Sequence, residues 1–427
     1  MRLSGTRWKG IGLTALMVFT VTLVGMNFVP PERALASELD HRYVIGDQQF
    51  MREMGILLGP SIREGNHIVA LNNGVEIFPA MIDAVRGARS SITFETYIYW
   101  SGDIGRQFSE ALTERARAGV RVHVLIDWVG SQRMDEALVD TMKDAGVEVV
   151  YYRPLRWYHL SRMNNRTHRK LLVVDGRIGF TGGVGIADHW LGDAENPDHW
   201  REMHFRVEGP AVAQMQAVFI DNWIKTSGAV LRGVAYFPEI DPAGMHAAHM
   251  FSSSPTGGSE AMQLMYLMAI SSAQRTIDLS ASYFVPDEIT RQAMIEAARR
   301  GVRIRVIVPG RHMDVESVRS ASRALWGELL QAGIAIHEYQ PTMYHCKMLI
   351  ADGLLVSVGS TNFDNRSFRL NDEANLNVYD AGLAAELTGV FEDDLRESRT
   401  VHLETWRNRP LWERFNDRVA GLFSSQL

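Results

Sequence analysis

Apolar and polar positions along this chain switch between a helical period and a strand period, and they do so twice in the same order. Ala84 to Ile92 shares its pattern of small, polar and apolar positions with Ala269 to Ile277. Ala118 to Val122 likewise matches Arg300 to Ile304, and Ala145 to Val147 matches Ala332 to Ile334. Every such pair reads as a helix that stops near a glycine, followed by the start of a strand. Each half therefore predicts a helix, a strand over Ile92 to Tyr99 or Ile277 to Phe284, a helix, and a strand over Val120 to Asp127 or Val302 to Pro309. A helix, a short strand and a hairpin complete the half. This order predicts an α/β fold of two similar domains, each a mixed β-sheet flanked by helices and packed about a pseudo-two-fold axis. The expected division is an N-terminal segment over 1–36, a linker over 37–65, a first domain over 66–235 and a second over 236–427. Gly228 to Gly244, with Gly, Pro and no sustained period, reads as the connection between the halves, and His246 and His249 just beyond it look incidental.

The hairpins carry the candidate chemistry. The apolar runs Leu171 to Val174 and Met348 to Ala351 both end in Asp-Gly, a strong signal for a two-residue turn. Because side chains alternate along a strand, His168 and Lys170 share one side while Arg169 points away, and His345 and Lys347 share one side while Cys346 points away. If Asp175-Gly176 and Asp352-Gly353 are the turns, His168 lies opposite Gly183 and His345 opposite Ser360. A small residue there leaves room beside the imidazole for a phosphate oxygen to meet backbone N–H groups and an ammonium together. Packing about the two-fold axis would bring the hairpins face to face and turn two half-sites into one. Glu202 and Glu373 occupy matched places, since Phe205 to Val207 and Leu376 to Val378 follow them at equal spacing. A carboxylate that fixes an imidazole tautomer is the role such residues could fill.

The twin pattern His-x-Lys-x4-Asp-x6-Gly-[Gly/Ser], in His168, Lys170, Asp175 and Gly183 and again in His345, Lys347, Asp352 and Ser360, resembles the phospholipase D superfamily. The likeness covers nearly everything from Asn66 to the end. Gly359 to Ser367 followed by Asn371 to Asn375, and Trp200 to Glu202 leading to Val207 to Pro210, most resemble its bacterial cardiolipin synthase branch. The resemblance implies two phospholipase D-like domains, with His168, Lys170, Asp175, His345, Lys347 and Asp352 as catalytic residues. It further implies phosphate binding by Lys170, Lys347, Gly183, Ser360 and Asn362, and orientation of the histidines by Glu202 and Glu373. One histidine would form a phosphohistidine while the other protonates the leaving alcohol; His168 is read as the nucleophile and His345 as the acid/base. No metal or cofactor is implied. The first copy departs from the pattern at Gly185, where Asn362 stands in the second, so the halves should bind phosphate unequally. The expected reaction is cardiolipin synthesis from two phosphatidylglycerols with release of glycerol. A phospholipase D hydrolase or transphosphatidylase is the alternative, and an exported phosphodiesterase or nuclease a more distant one.

Composition adds compartment rather than chemistry. With 46% hydrophobic and 22% charged residues over 427 positions, the chain can bury large cores. A net charge of −6 gives no global attraction to nucleic acid, and no such partner is expected. Cys346 is the single cysteine, so no intrachain disulfide can form, and it reads as a packed thiol. Arg2, Arg7 and Lys9 precede an uncharged, mainly apolar stretch from Gly10 to Pro31, which reads as a single-pass anchor in a bacterial inner membrane with the catalytic body outside the cytoplasm. Export with cleavage at Ala36 is the alternative. Internal pseudo-symmetry makes a monomer the expected state. The first half alone carries an Arg- and aromatic-bearing insertion, Arg153 to Arg166, suited to an anionic interface or to a plain surface loop. Leu411, Trp412, Phe415, Val419, Leu422 and Phe423 follow helical spacing and are expected to dock on their own domain, with membrane contact as the second choice.

Overall fold

The computed structural model describes residues 4–25, 35, 39–155, 164–255 and 260–422. In the first half, β1 (Arg63–Asn72), β2 (Ser91–Thr96), β3 (Arg121–Asp127), β4 (Glu148–Tyr152), β5 (Leu171–Val174), β6 (Ile178–Gly182) and β7 (Met203–Glu208) pair in the order β1-β7-β6-β5-β2-β3-β4. The second half repeats the arrangement with β8 (His246–Ser253), β9 (Thr276–Ala281), β11 (Arg303–Pro309), β12 (Ala335–Tyr339), β13 (Lys347–Ala351), β14 (Leu355–Gly359) and β16 (Glu373–Tyr379), ordered β8-β16-β14-β13-β9-β11-β12. β17 (Ser398–Thr400) adds an edge, and β10 (Phe284–Val285) pairs separately with β15 (Phe363–Asp364). β1 and β8 pair with each other, so both halves form one continuous sheet, as the mixed α/β duplication requires.

Helices α1 (Ser4–Gly25) and α2 (Gln48–Leu57) precede the sheet. α3 (Asn73–Gly87), α4 (Asp103–Arg117) and α5 (Glu136–Asp144) cover one face of the first half, and α6 (Ala211–Ser227) the other. Their counterparts are α7 (Ala261–Ser272), α8 (Glu288–Arg299) and α9 (Glu316–Gln331), with α11 (Ala381–Arg396) opposite; α10 (Asn365–Arg369) follows β15, and α12 (Leu403–Arg407) and α13 (Leu411–Gly421) close the chain. Strict alternation along β5 decides which residues reach which layer. Leu172 and Val174 enter the core under α3 and α4, whereas Leu171 and Val173 enter a core shared with Met348, Ile350 and Cys346 of the other half. That shared core, together with the β1–β8 seam, fixes the halves against each other.

The structure differs from the sequence reading at the turns. Val174 pairs with Ile178 and Ala351 with Leu355, so three residues form each loop and the expected register slips by one. Asp175 and Asp352 both adopt φ of 54°, and the tight bond from Arg177 N to Val174 O (3.0 Å) closes before the ladder begins. These two aspartates lie at the hairpin tips, the opposite end from the imidazoles. Asp175 accepts the backbone N–H groups of Arg89, Ser90 and Ser91 at 2.7 to 3.1 Å, and Asp352 those of Gln274, Arg275 and Thr276 at 2.7 to 3.0 Å. Their carboxylates fasten the hairpin to the entry of the neighbouring strand, which corrects the catalytic role expected for them.

Other expectations shift as well. His246 and His249 belong to β8 and not to a connection: His246 Nδ1 accepts from Ile68 N at 3.0 Å, and His249 Nδ1 meets Pro60 O at 2.8 Å. The segment between the halves is packed down, with Leu231, Ala235 and Tyr236 in a cluster with Phe219 and Trp223. α1 exposes Leu13, Leu16, Met17, Val18, Phe19 and Val21, and among the described residues no helix is long and apolar enough to cross a membrane. Residues 26–31 of the apolar stretch, the cleavage position Ala36 and residues 156–163 of the insertion lie outside the described residues.

Replacing Asp175 or Asp352 by Ala should destabilise the fold by about 1 kcal/mol apiece, because three backbone N–H groups at a partly exposed strand entry lose a charged acceptor. Denaturant unfolding measures this; a variant as stable as the parent would contradict the structural role.

Candidate active site

The backbone delivers each histidine to the opposite half. Thr167 pairs with Asp372 in an isolated parallel bridge, with His168 N donating to Asp372 O at 2.9 Å and Asp372 N to Arg166 O at 2.9 Å. The mirror bridge joins Tyr344 to Arg201, with His345 N donating to Arg201 O at 2.8 Å and Arg201 N to Met343 O at 2.9 Å. Since Asp372 precedes Glu373 and Arg201 precedes Glu202, the acids pair crosswise. His168 Nδ1 lies 3.0 Å from Glu373 Oε1, and His345 Nδ1 lies 2.5 Å from Glu202 Oε2. A Nδ1–H given to the carboxylate leaves Nε2 of either ring with its lone pair available for chemistry.

Lys170 and Lys347 stand on the same strand face as their histidines, as the two-residue period requires. Lys170 Nζ donates to His168 O at 2.8 Å and lies over the Tyr97 ring at 5.7 Å; Lys347 Nζ donates to His345 O at 2.9 Å and to Ser282 Oγ at 2.7 Å. All of these side chains are buried or nearly so, and burial dominates their titration. Desolvation, reinforced by the Lys347 ammonium, pulls Lys170 down to about 7, and desolvation also lowers Lys347. Burial brings His168 down to about 4 against the pull of Glu373, and drives His345 well below the ordinary histidine value, helped by both lysines.

The two carboxylates are not equivalent. Glu373 accepts from Ser360 Oγ at 2.5 Å and from Ser367 Oγ at 2.8 Å; burial alone would raise its pKa, but the His168 partnership and these donors hold it below the usual range. Among the described residues Glu202 has only the Met203 N–H at 2.9 Å beyond its histidine, and burial raises its pKa. Ser360 thus serves Glu373 and not a phosphate oxygen. At Gly183, a Cβ would sit 2.4 Å from Glu202 Oε2, so the glycine makes room for the carboxylate; both expected phosphate contacts are corrected in this way. Asn362 is buried, with Oδ1 lacking a partner, and remains free to turn its amide toward a ligand. At the matching position, Gly185, a Cβ would meet Trp190 Cζ3 at 2.9 Å, so an aromatic ring takes the space of the second amide. Trp190 and Trp200 flank His345, with ring centroids at 5.3 and 5.4 Å, whereas Tyr97 flanks His168 at 5.4 Å.

Several of these neighbours escaped the sequence reading. Tyr97 and Ser282 stand at matched places in the repeat, five residues past Ile92 and Ile277, and that offset was the available signal. Cys346 is buried with its Sγ 3.7 Å from Arg201 O, and burial pushes the thiol far up, in keeping with an inert packed residue.

A family model described as "Cardiolipin synthase, PLD-like domain" matches residues 81–223 and 266–395, more than half of the chain. The chain belongs to this family. Among curated relatives, a cardiolipin synthase of Geobacillus sp. (strain WCH70) is 36% identical over 360 residues, covering 84% of this chain and 72% of the relative. A probable cardiolipin synthase of Bacillus subtilis (strain 168) is 35% identical over 368 residues, covering 86% and 73%. The crystal structure of phosphatidylserine synthase from Haemophilus influenzae Rd KW20 superposes with a TM-score of 0.69 at 14% identity, over 89% of this chain and all of the other, a likeness of fold.

A histidine kept neutral by the fold resists acid less well than the same site without a titrating group. The unfolded His168 takes up a proton near pH 6.5 and the folded one near 4, so its contribution to stability falls as pH drops through that window. The stability of the parent relative to its His168→Asn variant should therefore decline between pH 6.5 and 4. Paired denaturant melts measure it, and a pH-independent difference would contradict the neutral buried imidazole.

Proposed function

We propose that this protein is a phospholipase D-type phosphatidyltransferase that makes cardiolipin from two phosphatidylglycerols and releases glycerol. The crossed His–Glu pairs flanked by two lysines carry this reading, since they supply what phosphodiester exchange needs in one place: a nucleophile, a proton donor and cations for the non-bridging oxygens.

His168 is the better nucleophile of the two, because Glu373, its pKa held low by His168 itself and by Lys170 and its oxygens hydrogen-bonded by two serine hydroxyls, stabilises the positive charge that builds on the ring as Nε2 bonds to phosphorus. The departing glycerol oxygen takes its proton from Nε2 of His345, which acts as an imidazolium held at Nδ1 by the Glu202 carboxylate. His345, now neutral, next accepts the proton of the terminal hydroxyl on a second phosphatidylglycerol. That oxygen attacks the phosphohistidine, the P–N bond breaks and His168 is regenerated. Lys170, Lys347 and Asn362, its amide turned so that Nδ2 donates in place of the unpartnered Oδ1, hold the phosphate through both steps. Water in place of the second lipid would give phosphatidic acid, the outcome expected of a hydrolase. Trp190 and Trp200 beside His345 form an apolar wall that disfavours water on the face where the acceptor must enter.

The reading of the N-terminal segment as a single-pass anchor in the cell membrane, with the body on the far side, rests on the basic residues ahead of the apolar sequence from Gly10 to Pro31, since α1 alone is not long and apolar enough to span; export with cleavage at Ala36 is the alternative. The two halves act as an internal pseudo-dimer, so one chain suffices for a site.

Incubated with phosphatidylglycerol vesicles, the protein should yield cardiolipin and free glycerol, read by mass spectrometry; phosphatidic acid as the only product would assign a hydrolase. His168→Asn and His345→Asn should each lower turnover by roughly a thousandfold or more. A phosphodiester with a p-nitrophenol leaving group needs no general acid, so it should restore the first step to His345→Asn and not to His168→Asn. Restoration in His168→Asn alone would reverse the two roles.

A further inference from the structure

The last helix of the chain is turned inside out. At 100° per residue, Leu411, Trp412, Phe415, Val419 and Leu422 fall within an arc of about 100°. That arc faces solvent, with Leu411 79%, Trp412 65%, Phe415 68% and Leu422 77% exposed; the helix docks on α9 of its own domain as expected, but through its charged face and not its apolar one. The charged arc faces inward. Asp417 is buried and accepts from Arg323 Nη2 at 2.8 Å and Arg409 Nε at 2.9 Å, while Glu413 Oε2 lies 3.5 Å from Arg323 Nη1. A surface helix ordinarily buries its apolar stripe, so an ion-pair anchor that holds the stripe outward fixes its direction.

Position and charge say what should meet it. Ala420 packs into a small cluster with Val285, Val318, Ala321 and Tyr283, and Ser282, next to Tyr283, accepts from the catalytic Lys347. α13 therefore stands beside the wall of the active site. Arg414 and Arg418 border the apolar arc and Arg407 lies just before it; all three are exposed, and among the described residues none has a carboxylate within ion-pair reach. A second copy of the same face would add three more arginines to that rim, whereas a plane of anionic headgroups would neutralise them.

We propose that α13 is an interfacial docking element that seats the rim of the active site on an anionic phospholipid bilayer, its Trp, Phe and Leu side chains entering the acyl boundary and its arginines meeting lipid phosphates. The inference rests on the reading of the substrate as a bilayer lipid. α13 thereby turns the catalytic body toward the surface it works on.

The test uses the full chain and the variant Trp412→Glu/Phe415→Glu, with Trp412→Phe/Phe415→Leu as the conservative control. On phosphatidylglycerol vesicles the charged variant should lose roughly tenfold or more in kcat/KM, while turnover of short-chain phosphatidylglycerol kept monomeric and the thermal midpoint stay at parental values. The control should retain vesicle activity. Equal losses on vesicles and monomers would mark a merely structural helix, and unchanged vesicle activity would sink the proposal, as would a dimer in sedimentation that the charged variant dissolves. A fluorophore on Phe415→Cys should be quenched by brominated phosphatidylglycerol in the bilayer; absence of quenching overturns docking. Quenching is independent of turnover, so a protein that converts neither lipid would defeat the proposed reaction while leaving the docking result decided.

Discussion

Neither half of this protein can make a functional histidine alone, because the carboxylate that orients each imidazole comes from the other half. Two parallel backbone bridges, Thr167 to Asp372 and Tyr344 to Arg201, set this exchange, and every other feature of the site follows from it. A buried carboxylate without its partner costs several kcal/mol, so Glu202 and Glu373 tie correct chemistry to correct association of the halves. The continuous sheet serves the same end. Pairing of β1 with β8 and the core shared by Val173, Met348 and Cys346 hold the two bridges in register, and Arg169 crosses the seam to reach the carbonyls of Ser253 and Glu373 at 3.2 and 3.3 Å.

Within that symmetric frame the copies have diverged where charge is handled. Ser360 and Ser367 donate hydrogen bonds to Glu373 behind His168, whereas Gly183 gives Glu202 space but no hydroxyl. Asn362 keeps a buried amide oxygen without a partner, and Trp190 fills the corresponding volume beside Gly185. One imidazole is thereby set in a polar, well-supported seat and the other against an aromatic wall. A nucleophile that must bear positive charge suits the first, and a group that trades a proton with an alcohol while water is kept away suits the second.

Much of this was legible in the sequence, and the exceptions share a cause. The strand period placed each Lys beside its His correctly, and the repeat offset placed Glu202 and Glu373 as equivalents. Which histidine each acid serves could not be read, since spacing along a chain carries no information on how two halves pack. The tip aspartates misled for a related reason: the N–H groups they accept lie 84 to 86 residues away for Asp175, so the local pattern showed only a turn. The strands expected to run to Tyr99 and Phe284 stop at Thr96 and Ala281, because Tyr97 and Ser282 leave the ladder to face the lysines. Positive φ at Asp175 and Gly176 gave the expected tight turn, yet the ladder began one residue later, a slip that apolar alternation alone could not reveal because both faces of β5 are buried.

Burial of so many titratable groups has a consequence for how the site starts its cycle. Burial lowers the pKa values of both lysines and both imidazoles, so the fold opposes positive charge on all four groups able to carry it. The substrate phosphodiester is a permanent anion. Its entry between the lysines supplies the counter-charge whose absence depresses them, so binding raises their pKa values and those of the histidines together. Within the proposed reaction, proton uptake is expected to accompany substrate binding, charging the general acid as the leaving group arrives. An arrangement charged from the outset would have to hold four cations in low dielectric with two carboxylates to balance them; letting the substrate complete the balance avoids that cost and couples ionisation of the site to its occupancy.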